Sequence, residues 1–182
     1  MKIQYLIICM FLVFGCDFQR RDIKQAITHW MGKKIVFSDS LQCKIYGKDT
    51  SAYLLNEHKY KIFFFFYTNG CSECQLKFYD WRRLQRQIDS LHADISIVFV
   101  VFAKHYVPIE VSQRLNKFGI PIFYDTSGKM GRMNDFSFNP KYKTFLLDSS
   151  NHVVGVGNPA LNPQIWAFYQ KIVQSSSSST CP

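Results

Sequence analysis

No apolar run in this 182-residue chain reaches the roughly 20 residues that a membrane-spanning helix requires. The first candidate, Ile3 to Phe14, is about a dozen residues long and follows the single basic residue Lys2. It reads as an export signal rather than a span. Blocks of five or more like charges are also missing. The formal net charge is +9, but Lys and Arg come singly or in pairs, as in Arg20-Arg21, Lys33-Lys34 and Arg82-Arg83. With no nucleic-acid motif beside them, these charges describe a solvated basic surface near anionic lipid, not a nucleic-acid interface. There is no internal repeat. There is no second C-x-x-C and no paired histidine, so the four ligands of a tetrahedral zinc site are lacking. No metal and no organic cofactor is expected.

The chain does have hydrophobic residues, 47% of the total, with 17 Phe and 10 Tyr. That suffices for one full core without metal or disulfide staples. Reading along the chain, Asp22–Met31 is an amphipathic helix with Ile23, Ala26, Ile27, Trp30 and Met31 on its apolar face. Lys34–Phe37 reads as a strand, and 38–58 as strand and loop near a sheet edge. Tyr60–Tyr67, with Phe63 to Phe66 consecutive, suits a central strand buried on both faces. A helix follows from Ser72 to about Leu91, with Leu76, Tyr79, Leu84 and Ile88 inward. Ile95–Ala103 is a second apolar strand, Pro108–Phe118 a helix and Ile120–Tyr124 a short strand. Lys143–Leu147 and His152–Val156 form a hairpin, and Asn162-Pro163 opens a last helix to about Val173. Trp30, Trp81 and Trp166 all fall on amphipathic helices and are assigned to packing. The order of elements implies an α/β sandwich: a central mixed β-sheet with helices on both faces.

The chemistry centres on Cys71-Ser72-Glu73-Cys74, set where a buried strand hands over to a helix. Free N–H groups and the positive end of a helix dipole favour a thiolate at Cys71. Cys74, one turn on, can close a disulfide with Cys71. Cys71 is therefore the candidate nucleophile and Cys74 the resolving thiol. Inert thiols and half a metal site are the alternatives. Glu73 adds negative charge beside the pair, which disfavours thiolate and points to a reducing or isomerising direction. Lys77 and Arg82 are solvent-facing helix charges that could offset it. Cys43 and Cys181 could pair with each other, or Cys181 could be a free or intermolecular thiol.

Two resemblances complete the reading. Leu12-Val13-Phe14-Gly15-Cys16 resembles the lipobox of bacterial lipoproteins. This implies removal of 1–15 as a signal peptide, lipid on the Cys16 thiol and a tether over 16–21. The lipid would hold a domain spanning 22–174 at the cell envelope, facing the periplasm, ahead of a Ser-rich tail at 175–182 expected to be disordered. Cys9 would be discarded with the leader. The strand running into Cys71–Cys74, with Tyr124-Asp125-Thr126-Ser127-Gly128 and Thr144-Phe145-Leu146-Leu147-Asp148, resembles the thioredoxin superfamily, in particular its TlpA-like, redoxin-type lipoproteins. That resemblance covers roughly 33–173. It implies a thioredoxin-like fold and thiol–disulfide exchange with exported protein thiols and disulfides, sustained by an envelope electron donor. The chain departs from the family at three places. Tyr142 occupies the position of the usual cis-proline, with Pro140 two residues earlier. The strand before the motif has no proton acceptor. Gly70 replaces the Trp before the first Cys. Thr68, three residues before Cys71, is similar to the peroxiredoxin pattern, although Phe64 stands where its proline would be. A peroxidase is thus one alternative, with turnover of an organic peroxide as its mark. A non-catalytic binding module is another. Copper delivery through the Cys pair with His105 or His152 is a third.

Overall fold

The computed structural model describes residues 21–50, 58–68, 76–136 and 142–177. Helix α1 spans 21–30. The strands β1 (Gln42–Ile45) and β2 (Lys48–Asp49) follow, then β3 (Tyr60–Thr68), helix α2 (Phe78–Ser90) and β4 (Ile95–Ala103). Helix α3 (Val107–Leu115), β5 (Ile122–Tyr124) and the short helix α4 (Lys129–Met133) come next. The hairpin β6 (Thr144–Leu147) and β7 (Val153–Val156) precedes the last helix, α5 (Pro163–Ser177).

These strands form one mixed sheet in the order β2-β1-β5-β4-β3-β6-β7. Its centre is parallel: β3 pairs with β4 over nine residues, and β4 pairs with β5. The flanks, β1 against β5 and β6 against β3, are antiparallel. The run of phenylalanines explains the place of β3. Alternate side chains point to opposite faces, so Phe63 and Phe65 join one core with Trp30, Phe136 and Phe145. Phe64 and Phe66 join the other, with Trp81, Phe99 and Phe118. A strand needing two apolar faces can only be central. Among the described residues every buried member of both cores lies between Ala26 and Val173, so a chain beginning at Asp17 keeps all of them.

Several elements depart from the sequence expectation. Lys34–Phe37 is not a strand; it makes a single bridge, Lys34 to His152. Only Ile35 on this segment is deeply buried against the sheet, and the Val36 N–H donates to Asn134 Oδ1 (2.7 Å) instead of a neighbouring strand. The 38–58 stretch does supply the sheet edge, as β1 and β2. On α1, Ala26 and Trp30 are buried while Ile23, Ile27 and Met31 stay exposed. On α2, Tyr79 is 61% exposed, and Phe78 and Trp81 take the inward places with Leu84 and Ile88. The phase of the face is set by Trp81, and Tyr79 lies about 200° from it at 100° per residue. Helix α4 was not anticipated. Helix α5 runs to Ser177, into the Ser-rich segment assigned to the tail. Trp30, Trp81 and Trp166 are all core residues, as expected.

Candidate functional site

Because β3, β4 and β5 are parallel, their carboxyl ends gather on one side of the sheet, at Thr68, Ala103 and Tyr124. Ligands and reactive groups in open α/β sheets collect outside such ends. Cys71, Glu73 and Cys74 lie outside the described residues, as do Cys16 and Cys181. What is fixed is the frame on either side of the dithiol. Thr68 is the last residue of β3, register partner of Ala103. Leu76 is helical and fully buried in the core. The segment carrying both cysteines therefore runs from the end of the central strand to a core anchor eight residues on.

The junction with α2 differs from the expectation of one helix from Ser72. Lys77 adopts a left-handed conformation (φ 50°) and the continuous helix starts at Phe78. No side chain caps it; the Asp80 N–H donates to the Lys77 carbonyl (2.9 Å). The helix dipole acts mainly within the first turn. The positive end of α2 lies at Phe78, seven residues past Cys71 in the chain.

The wall beside β3 is better defined. The Phe65 N–H donates to the Lys143 carbonyl (3.0 Å), continuing the β6 ladder by one residue. This sets Tyr142 and Lys143 alongside the carboxyl end of β3. Tyr142, which the sequence comparison sets in place of the family proline, is partly buried against the Phe63 core. No peptide bond among the described residues is cis. Lys143 Nζ stands 5.5 Å from the Phe65 ring centre and 5.7 Å from that of Tyr67. Burial holds its ammonium below the ordinary lysine range. Tyr67 stacks on Phe102 of β4 at 5.4 Å. Together with Phe136, Arg132 and Asp135 these residues border an open groove of about 480 Å³. Gly128 borders it too, at φ 67°, where an added Cβ would come within 3.0 Å of Phe102 Cζ. Sequence reading missed Lys143 and this groove, because the strand pairing that places Lys143 beside Tyr67 is non-local.

The Asp125–Gly128 motif has a structural explanation. Asp125 is fully buried. Its Oδ1 accepts from the Lys129 N–H and its Oδ2 from the Met130 N–H, both at 2.9 Å. Those bonds satisfy the free N–H groups at the start of α4.

The other candidates separate. His105 follows the carboxyl end of β4. His152 precedes β7, at the opposite end of the strands, 3.8 Å from Asp148. The two histidines cannot serve one Cys pair together. No group of three His, Cys, Asp or Glu residues among the described residues could hold a metal ion. Cys43 carries a free thiol on β1, three strands across from β3, or about 14 Å at the usual strand spacing. Burial raises its thiol above the ordinary range. Alkylation of Cys43 should therefore stay slow at pH 8 and rise only as the pH passes that of a free thiol, about 8.5. A mass-resolved iodoacetamide time course checks this, with peptide mapping to separate Cys43 from the other cysteines.

No family model and no curated protein matches the chain. Among solved structures it is similar to the thioredoxin domain of a thiol-disulfide oxidoreductase from Bacteroides vulgatus. The TM-score is 0.55 at 15% identity, covering 79% of this chain and 97% of that one. It is also similar to an uncharacterized conserved protein from Geobacillus kaustophilus, with TM-score 0.50 and 14% identity, covering 70% and 68%. At these identities the likeness concerns the fold, which for this chain is thioredoxin-like.

Proposed function

We propose that this thioredoxin-like chain is a thiol–disulfide oxidoreductase of the bacterial cell envelope, acting through Cys71 and Cys74 and held at the membrane by lipid on Cys16. The observation that carries the reading is positional. A C-x-x-C lies between the carboxyl end of the central parallel strand β3 and the buried Leu76, in a sheet of this fold. Among the described residues no helix is long and apolar enough to cross a membrane, so membrane attachment rests on the Gly15-Cys16 signal.

The exchange proceeds in two balanced steps. The Cys71 thiolate attacks one sulfur of a substrate disulfide, forming a mixed disulfide and releasing the other sulfur as a thiolate that takes up a proton. The Cys74 thiolate then attacks the Cys71 sulfur, frees the second substrate thiol and leaves Cys71 and Cys74 oxidised. Two electrons have passed to the substrate, and an envelope electron donor must return them.

One feature favours the reducing or isomerising direction. Glu73 disfavours a second negative charge beside the thiols. Poorly stabilised thiolates make a weak oxidant. Glutathione titration of the chain from Asp17 onward should give a reversible two-electron couple at or below about −180 mV, well short of the −120 mV of a strong oxidant. A potential near −120 mV would reverse the assigned direction. A folded protein with no reversible couple would instead support a non-catalytic binding module, the reading that Tyr142 in place of proline favours.

A further inference from the structure

We infer that α1 is a membrane-contact surface, laid against anionic lipid headgroups. The helix has more apolar residues than the fold uses. Ala26 and Trp30 anchor it to the sheet, at 0% and 1% exposure. Ile23, Ile27 and Met31, spaced by four and therefore aligned on one face, remain 38%, 43% and 44% exposed. The exposed cations Arg21, Lys24, Lys33 and Lys34 lie on and just beyond this helix, against one acid, Asp22. An apolar stripe edged by cations is the pattern of helices that lie in the plane of a membrane interface.

A second exposed stripe shows what sets α1 apart. Val107, Val111 and Leu115 on α3 are as exposed or more so, but that helix balances Glu110 against Arg114, and with its flanks Lys104 and Lys117 it gathers three cations against one acid, where α1 gathers four against one. Exposure alone thus does not choose α1; its larger basic excess does, and so does its place in the chain. Arg21 is five residues from Cys16, a span of at most about 18 Å. In the anchoring reading, which this inference deepens, the lipid would keep α1 within reach of the headgroups. The contact would then fix which face of the domain looks away from the membrane.

The test uses the unlipidated chain from Asp17, which retains both cores, so that binding cannot come from the anchor. Co-sedimentation is measured with vesicles of phosphatidylcholine alone and with an equal share of phosphatidylglycerol, in low salt. Binding to the anionic vesicles is expected to be at least tenfold tighter and to weaken in high salt. Ile23→Ser with Ile27→Ser should cost tenfold or more. Lys24→Gln with Lys34→Gln should cost about fivefold per charge. Val107→Ser with Leu115→Ser should change nothing, and unchanged circular dichroism confirms that each variant folds. Equal binding to both vesicle types would overturn the inference. So would an Ile23/Ile27 variant that binds like the parent, or a Val107/Leu115 variant that loses as much. The anchor itself is read separately, from the mass of the full chain isolated from membranes. An unmodified Cys16 would remove the lipid while leaving the vesicle result standing.

Discussion

Replacing Cys71 with Ser should abolish disulfide reduction, lowering turnover of a model protein disulfide at least 100-fold, in keeping with the loss of a nucleophile. Replacing Cys74 with Ser should have a different signature. Attack by Cys71 still occurs, but nothing resolves the mixed disulfide, so the variant should accumulate covalent adducts with substrate that are visible on a non-reducing gel. The asymmetry identifies the roles, since an inert structural disulfide would lose nothing in either variant and trap nothing. A peroxidase would also depend on Cys71, but its mark would be turnover of an organic peroxide through a sulfenic acid. Cys43 is the internal control. It lies three strands away on β1, and Cys43→Ala should leave both exchange and trapping unchanged.

The sequence made the centre of this fold legible and left its margins obscure, for a physical reason. Phe63 to Phe66 and Ile95 to Ala103 form unbroken apolar runs, and only a strand buried on both faces can use one. Their parallel pairing followed from the helix between them. Lys34–Phe37 looked like a strand by composition but became an irregular segment, because its partners are scattered: His152 for Lys34, the Asn151 carbonyl for Ile35 and the Asn134 side chain for Val36. Of the candidate site, the strand that leads into the dithiol was readable because it is one contiguous apolar run. Lys143 was not. It matters through the Phe65 N–H to Lys143 carbonyl bond, which joins residues 78 positions apart in the chain. The break at Lys77 was equally hidden, since a lysine is an ordinary helix former and nothing local announces a left-handed residue there.

The helix after the dithiol supplies the second large effect. Apolar periodicity taken from Leu76 favoured Tyr79 as an inward residue, whereas the structure buries Trp81 to 1% exposure and leaves Tyr79 outside. Trp81 lies 5.2 Å from the Phe64 ring and 4.9 Å from that of Phe99. It thereby joins α2 to β3 and β4. Trp81→Ala removes a large ring from a packed interior and leaves a cavity, at a cost of about 3–5 kcal/mol. For a domain of this size that corresponds to a melting point lower by about 10 °C or more. Tyr79→Ala, two residues away on the same helix, should move stability by no more than about 0.5 kcal/mol. Thermal unfolding of the two variants measures the phase of the helix directly. If Tyr79→Ala were the more damaging, α2 would be rotated from the position described. Because α2 follows the dithiol segment, Trp81→Ala should also shift the Cys71–Cys74 potential, whereas Tyr79→Ala should leave it in place. A shift confined to Trp81→Ala, measured well below its melting point, would show that this core contact helps hold the geometry in which the two thiols meet.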